Sequence, residues 1–443
     1  MKDKLSYKIL GGEPIIGYVN CMGAKNLVTK AMVASLLSDE PTMLYNVPHI
    51  GEVEITAGMI RSAGAVIEWS QEGDMLIDSS LLSENKVALP DSRTNRIPIL
   101  LLSVLLQRFG EAIVPIVGGD NIGARNIDFH LYALKNFGVE IEYRDGYYVA
   151  RRLSKLKGCH IELKYPSVGA TETCLFLSVL AEGTSVIKNV AIEPEIIELI
   201  AMLCSMGAVI FMTANREIIV HGVEKLHGTK FRIIGDRIEA ASWAALACAS
   251  NGRLTVSGIQ LGVLSSFLSY YTMVGGGYTI VGADTIEFFR KRELSPINLE
   301  TDVYPGFSTD WQQPFVTILT QAEGISVVHE TVYEQRFGYL AVLNKLGADT
   351  QVVKGCLGSV PCRYRGYDYD HSALIRGRTK LIAIEQQIEV PDIRAGLAYV
   401  IAAVLATGET SLINVEQIER GYGDLQRKLS ATNIKLQRSC IAA

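Results

Sequence analysis

No Cys-x-x-Cys pair occurs among the eight cysteines of this 443-residue sequence. Cys21, Cys159, Cys174, Cys204, Cys248, Cys356, Cys362 and Cys440 are scattered along it, and no histidine clusters with them in the sequence. That spacing predicts reduced, mostly buried thiols, with no disulfide and no zinc or other metal site. Positive charge is not in excess either: 42 Lys and Arg against 47 Asp and Glu leave a formal net charge of −5. This balance gives no reason to expect a nucleic-acid partner, so an anionic substrate must be held by locally placed Lys and Arg rather than by the overall field. The most apolar run, Ile97 to Leu106, is about half of a membrane span. The opening residues, MKDKLSYKILGGEP, hold no apolar stretch of signal-peptide length. The expectation is a cytoplasmic protein with no membrane partner. Hydrophobic residues at 48% and charged residues at 20% describe a globular chain, long enough for two or more domains.

What the sequence does contain is a repeat. An apolar helix-like stretch, a short polar break and a β-rich run recur six times: "AMVASLLSDEPTMLYNVP", "LLLSVLLQRFGEAIVPIVGG", "CLFLSVLAEGTSVIKNVA", "WAALACASNGRLTVSGIQ", "FVTILTQAEGISVVHETV" and "YVIAAVLATGETSLINVE". The break glycines of the last five are Gly110, Gly183, Gly252, Gly324 and Gly408. A second phrase alternates with the first: "IRSAGAVIEW", "LKNFGVEIEY", "LCSMGAVIFM", "YTMVGGGYTI", "LNKLGADTQV" and the degenerate "LSATNIKLQ". Each reads as a helix end, a glycine cap and a strand of period two. The two phrases predict six βαβ-type units of about 70 residues, too many for one small core. Two domains of three units follow, with the N-terminal strand joining units four to six: residues 1–24 plus 234–443 in one, 25–233 in the other. The cleft between them is the default ligand site.

Several charged residues stand at helix starts or glycine turns. Lys25 and Asn26 open the first apolar helix, Arg96 precedes another with Pro98 in its first turn, and Asp392 and Arg394 repeat that arrangement. A cation at a helix N-terminus opposes the macrodipole, unless an anion is held there too. The alternative for Lys25 is a solvated side chain. Arg420 sits in the Gly-flanked "IERGYGDL". Asp310, after Ser308 and Thr309, is either a helix cap or an acid–base group. In "IVGGDNIGARNIDFHL", Asp120 follows two glycines and precedes Arg125. It is either a turn residue or an acid aimed at a substrate. Lys25, Arg125, Arg394 and Arg420 together would bind a phosphate or carboxylate.

The series "GAKN", "GGDNIGARNIDFHL", "PSVGAT", "EPEI", "DRIEAAS", "STDWQQPF", "HETVYEQRF", "PDIRAG" and "ERGY", spread over nearly the whole chain, resembles the UDP-N-acetylglucosamine 1-carboxyvinyltransferase (MurA) family of enolpyruvyl transferases. The resemblance implies a two-domain inside-out α/β barrel of six βαβ-type repeats. It implies transfer of the enolpyruvyl group of phosphoenolpyruvate to the 3-hydroxyl of UDP-N-acetylglucosamine, with release of phosphate. This is the first committed step of peptidoglycan synthesis, hence of cell-wall biogenesis, shape and division, and it needs no metal or organic cofactor. By the same resemblance Lys25 and Asn26 contact phosphoenolpyruvate, and Arg125, Arg394 and Arg420 bind its anionic groups. Asp310 is the proposed acceptor of the sugar hydroxyl proton. Arg96, the run Arg125, Asn126, Ile127, Asp128 and Phe129, the run Tyr165, Pro166, Ser167 and Val168, and Val332 fall at nucleotide-sugar contacts.

Three positions depart from the family pattern. Asp120 stands where most members carry the cysteine that fosfomycin alkylates, which makes Asp120 the expected general acid and the chain fosfomycin-resistant. Tyr165 replaces a common lysine, with Lys164 adjacent. Gly51 stands where a basic residue often occurs in the loop after the first repeat. The last two bear on the acceptor. The alternatives are another acceptor, such as a free nucleotide or shikimate 3-phosphate, or a nucleotide-sugar binder without catalysis.

Overall fold

A computed structural model describes residues 4–89, 95–118 and 127–441. By backbone contacts the chain separates into two compact units. The first joins Met1–Met22 to Gly235–Ala443, and the second lies in the chain between Gly23 and Ile234.

The described strands form six small sheets, five of four strands and one of three. One plan underlies them. A strand leads through a helix to a parallel neighbour, a second helix follows, and an antiparallel hairpin completes the sheet. Residues 298–377 carry the plan without interruption. Asn298–Glu300 is followed by helix Gln312–Leu319, parallel strand Gly324–His329, helix Leu340–Lys345, and the strands Asp349–Val353 and Ser372–Gly377. His160–Glu162 to Glu217–His221 repeats it in the second unit. Elsewhere a distant stretch supplies the missing strand. Ile16–Asn20 lies parallel to Arg253–Ser257, and Lys4–Gly11 lies antiparallel between Gly408–Ile413 and Lys435–Ile441. Lys230–Arg232 returns to lie parallel to Thr42–Tyr45. The three-stranded sheet retains only a single bridge, Lys86 to Ile113, where the first strand would be.

Each repeat contributes one deeply buried helix, numbered here in chain order: α1 (Lys25–Ala34), α2 (Ile97–Phe109), α3 (Val168–Ser178), α4 (Arg237–Ala249), α5 (Gln312–Leu319) and α6 (Ile393–Leu405). Every residue of α4 and α5 is buried, and all of α6 except Leu405. Helices buried on all sides must be surrounded by other elements. In the first unit α4, α5 and α6 touch one another, and in the second α2 touches both α1 and α3. Helices inside and sheets outside make the inside-out arrangement expected.

The helix–glycine–strand joints are left-handed turns, as at Gly207 (φ 101°). Gly252 departs from this. There Asn251 takes the positive φ, 57°, and Gly252 is needed because a Cβ would lie 2.2 Å from the Ile15 carbonyl oxygen. All eight cysteines are free. Among the described residues no helix is long and apolar enough to cross a membrane.

Candidate active site

In the first unit the candidates Asp310 and Arg394 meet. Asp310 lies in the 3-10 turn Thr309–Trp311 that leads into α5. Ser308 caps this turn, its Oγ accepting the Asp310 N–H at 3.3 Å, so Asp310 is not the helix cap. Its carboxylate instead accepts hydrogen bonds from two arginines: Arg336 Nη2 at 2.6 Å from Oδ1 and Arg394 Nη2 at 3.2 Å from Oδ2. The arginine side chains are 3% and 7% exposed and that of Asp310 is 23% exposed, so the carboxylate alone of the three reaches solvent appreciably.

Arg394 is set at the start of α6 by Asp392, whose Oδ1 accepts the N–H groups of Arg394 and Ala395 at 2.8 and 3.0 Å. Its Nη1 donates to the Tyr422 hydroxyl at 2.5 Å, with the guanidinium 5.4 Å from the ring centroid. Burial opposes the Arg394 charge, but Tyr422 and Asp310 outweigh burial and hold its pKa above the ordinary arginine value. Arg420 lies on the turn that leads to Tyr422. It follows the short helix Glu416–Glu419, and its Nη1 donates to Gln417 Oε1 at 3.0 Å. A cation is favoured at that helix end, whereas Arg394 stands at a helix start.

The sequence reading missed Glu330 and Arg336, although both lie in "HETVYEQRF". Glu330 is fully buried. Its carboxylate accepts from Thr309 Oγ1 (2.8 Å), Gln312 Nε2 (2.9 Å), and the N–H groups of Val332 (2.8 Å) and Tyr333 (3.1 Å). Burial raises its pKa, against the lowering effect of Arg336 and these bonds. Glu330 thus fixes the Asp310 turn and the Val332 turn to one another. The Val332 carbonyl accepts from the Tyr364 hydroxyl at 2.8 Å and from Arg363.

The second unit gathers its candidates at helix starts. Lys25 is the first residue of α1, after Ala24, with no side-chain cap. Its Nζ lies 3.8 Å from Oε1 of the buried Glu52, in the first turn of helix Gly51–Ser62. Gly51 therefore begins a helix rather than lying in a loop. Asn26 follows Lys25 in the first turn of α1. Gly23 lets the entry to α1 approach Asn46, where a Cβ would lie 2.1 Å from the carbonyl oxygen. Arg96 precedes α2, again without a side-chain cap.

Ile127, Asp128 and Phe129 form the start of helix Asp128–Asn136, which packs on α3. Phe129 stacks on Tyr165, with ring centroids 6.1 Å apart and planes at 15°. Tyr165 and Pro166 lead to Ser167, which caps α3 through the Ala170 N–H at 3.4 Å, and Val168 is the first helical residue. Lys164 is turned to Tyr132, its Nζ 5.5 Å from the ring centroid. His130 locks the two helices. Its Nδ1 meets Thr173 Oγ1 at 2.8 Å, and Gly169 leaves it room, since a Cβ there would lie 2.7 Å from His130 Cε1. Burial, with the Arg96 charge, lowers the His130 pKa to about 3, so the imidazole is neutral. Asp120, Arg125 and Asn126 lie outside the described residues.

The fold brings together residues that the sequence keeps apart. The cysteines looked far from any histidine, yet the fold sets Cys356 and Cys362 beside His329 and His371, with the four donor atoms within 4.8 Å of one another. The strands Gly324–His329 and Ser372–Gly377 are antiparallel neighbours with His329 opposite Ser372, so residues 42 positions apart (371 − 329) meet.

The EPSP synthase (3-phosphoshikimate 1-carboxyvinyltransferase) family pattern matches residues 9–429. The UDP-N-acetylglucosamine 1-carboxyvinyltransferase of Protochlamydia amoebophila is 45% identical over 430 residues, covering 96% of this chain and 92% of that protein. Its namesake from Chlamydia trachomatis serovar D is 45% identical over 433 residues, 97% of each chain. That of Gloeobacter violaceus is 34% identical, covering 97% of this chain. Among solved structures, the enolpyruvyl transferase NikO from Streptomyces tendae superposes over 100% of both chains with a TM-score of 0.85 at 21% identity. An EPSP synthase from Acinetobacter baumannii gives 0.69 at 16% identity, over 98% of this chain. At such identities the likeness speaks for the fold alone. The sequence relatives are close and nearly end to end, and they place the chain in a narrower group: it belongs to the enolpyruvyl transferases, among the UDP-N-acetylglucosamine 1-carboxyvinyltransferases.

Proposed function

We propose that this enzyme transfers the enolpyruvyl group of phosphoenolpyruvate to the 3-hydroxyl of UDP-N-acetylglucosamine in peptidoglycan synthesis, working in the cytoplasm on these two small molecules. The observation that carries the reading is the 45% identity, nearly end to end, with relatives of that name. The doubly ion-paired Asp310 supports it chemically. In the first step the sugar oxygen bonds to C-2 of phosphoenolpyruvate, Asp310 takes the hydroxyl proton, and Asp120 delivers a proton to C-3. In the second, C-3 loses a proton and the C-2–phosphate bond breaks, which leaves the enolpyruvyl ether and inorganic phosphate.

Lys25, Asn26, Arg125, Arg394 and Arg420 take the anionic groups of phosphoenolpyruvate on this reading. Arg96, Arg125 to Phe129, Tyr165 to Val168 and Val332 take the nucleotide sugar. Arg394 then serves two partners. An anion on Arg394 loosens its hold on Asp310 and makes that carboxylate a better base only when phosphoenolpyruvate is bound. Asp120 must be protonated to act. A bound substrate anion favours that state.

Phosphate release from phosphoenolpyruvate, assayed with UDP-N-acetylglucosamine, a free nucleotide and shikimate 3-phosphate, tests the acceptor. Release with the nucleotide sugar alone is expected, and release only with another acceptor overturns the reading. Fosfomycin tests the acid. A carboxylate is a poorer nucleophile toward an epoxide than a thiolate, so the wild type stays active while Asp120→Cys keeps activity and becomes sensitive. Asp120→Asn loses activity. A drug adduct on residues 116–131 of the inactivated wild type refutes the assignment.

A further inference from the structure

We propose that His329, Cys356, Cys362 and His371 form a structural zinc site, separate from the residues assigned to the reaction. His329 ends the strand Gly324–His329, and His371 immediately precedes the strand Ser372–Gly377. The two cysteines lie in residues 354–371, a connection without helix or strand. A connection that long inside a compact unit is uncommon unless something holds it.

The hydrogen bonds around the two histidines fix which nitrogen of each is available. His371 Nδ1 lies 2.7 Å from the Tyr369 carbonyl oxygen, which can only accept, so Nδ1 carries the proton. In the neutral ring Nε2 is then a lone pair, and it lies 3.1 Å from Cys356 Sγ. His329 Nδ1 lies 2.8 Å from Ser372 Oγ. The single Ser372 hydroxyl proton goes to the Gly355 carbonyl oxygen at 2.6 Å, so His329 Nδ1 must donate to Oγ. Its Nε2 is therefore also a lone pair. That atom is buried with no hydrogen-bond partner, on a side chain that is 0% exposed. An orphaned buried acceptor costs about 1–3 kcal/mol, so its presence here needs a reason.

A cation supplies one. Two imidazole nitrogens and two thiolates are the ligand set of a closed tetrahedral zinc site, whose ligand atoms lie about 3.3–3.8 Å apart at ordinary Zn–S and Zn–N lengths. The four donors, all within 4.8 Å, need only small side-chain adjustments to reach that. Binding Zn²⁺ displaces a proton from each thiol, and the resulting assembly of one dication and two thiolates is neutral, which suits the burial of both histidines. Each histidine is already oriented through its second nitrogen, the arrangement metal-bound imidazoles use. Gly358 fits the same account: a Cβ there would lie 2.5 Å from His329 Cδ2, so only glycine lets the connection close over the ring. Such a staple would hold in place the segment whose Arg363 and Tyr364 bond to the Val332 carbonyl.

Metal content of the full-length protein tests this without any activity measurement, so its outcome is independent of the proposed reaction. Protein purified with zinc in the medium, then dialysed against metal-free buffer, is expected to keep one zinc per chain. Cobalt exchanged for zinc is expected to show thiolate-to-cobalt charge transfer and the d–d bands of a tetrahedral ion. Cys356→Ser with Cys362→Ser is expected to lose both signals, while Cys204→Ser, an exposed cysteine outside the cluster, keeps them. Ser372→Ala is expected to weaken zinc binding ~10–100-fold, as loss of an orienting partner does. The proposal falls if reduced wild type retains no stoichiometric metal. It falls equally if the cobalt spectrum shows no thiolate, or if the double serine variant keeps the metal.

Discussion

Both units are built from one repeat, yet two central helices of the first begin on a carboxylate cap and none of the described ones in the second does. The remaining helix of the first, α5, entered through the Ser308-capped turn, has no side-chain cap of its own. In the first unit, Asp236 caps α4, accepting the N–H groups of Ile238 and Glu239 at 2.8 and 3.1 Å, and Asp392 caps α6 likewise. In the second, α1 and α2 have no side-chain cap, and the Ser167 bond at the start of α3 is long at 3.4 Å. A cap satisfies backbone donors that would otherwise face water or a ligand. The first unit spends carboxylates on the starts of α4 and α6 and clamps Arg336 and Arg394 on Asp310. The second leaves its ends to Lys25 and Arg96, which suits a phosphate-bearing ligand. One repeat plan thus supports a preassembled charge cluster in one half and uncapped helix starts in the other.

Removing the anchor of the charge cluster has the largest expected effect. Asp310→Ala should lower turnover ~10²–10⁴-fold, the ordinary contribution of a positioned base, while nucleotide-sugar binding is kept. It should also lower the thermal midpoint, because Arg336, a buried side chain, loses its carboxylate partner. Asp310→Asn separates the two effects, since it keeps the shape and one acceptor. Steady-state kinetics and thermal unfolding of both variants decide. Near-normal turnover in either makes the cluster structural only.

Buried titratable groups set the units apart next. In the first, Glu239 is paired with Lys428. In the second, Glu172 is buried near the acids Glu193 and Glu195, and burial raises its pKa to about 7, against the pull of Lys30. Its folded pKa exceeds the unfolded one, so the folded state binds the extra proton. Its contribution to stability is present below about pH 4.5 and lost as pH rises to about 7. His130 runs the other way. Its folded pKa of about 3 lies below the ordinary 6.5, so its contribution is lost as pH falls through that window. Glu172→Gln should therefore stabilise the protein near pH 8, by on the order of 3 kcal/mol, and change little near pH 4. Urea unfolding at both pH values checks this, and an equal gain at both removes titration as the cause.

The sequence carried what is local. Helix–glycine–strand phrases became left-handed turns, and charged residues at helix starts were found there. Asp310 stands out in the sequence, but its contact with the arginines that hold its carboxylate does not, because they lie 26 and 84 positions away. Glu330 and Arg336 sat inside a recognised motif and still went unassigned. Their partners, Thr309, Gln312 and Asp310, come from a different turn. The His–Cys cluster was invisible for the same reason: strand register, not spacing, brings its members together.

Gly169 tests how tightly the second unit's segments proposed to hold the nucleotide sugar are coupled. In a helix, Gly→Ala alone gains about 1 kcal/mol. Here the new Cβ would lie 2.7 Å from His130 Cε1, on a buried ring tied to Thr173. Overpacking should win, with a net loss of about 1–3 kcal/mol. His130 shares its helix with Asp128 and Phe129, so KM for the nucleotide sugar should rise more than kcat falls. His130→Ala in the Gly169→Ala background should relieve the clash, and a double-mutant cycle measures the coupling. Strict additivity would mean the two helices do not constrain each other.

The smallest effect addresses the capping contrast itself. Asp392 accepts two backbone N–H groups at 2.8 and 3.0 Å and carries a charge that the helix dipole favours. Asp392→Ala should cost about 1–2 kcal/mol, toward the upper part of the range for cap removal. Ser167 accepts one N–H at 3.4 Å and is neutral. Ser167→Ala should cost only about 0.5 kcal/mol, the lower end of that range. The activities should diverge too. Losing Asp392 frees the first turn of α6, so Arg394 shifts against Asp310 and turnover falls. Losing Ser167 opens α3 further and acts on KM for the nucleotide sugar. Urea midpoints and steady-state kinetics on the two variants read both quantities. Equal stability losses with the same kinetic signature would show that the two units use their helix ends alike, and the contrast between them would dissolve.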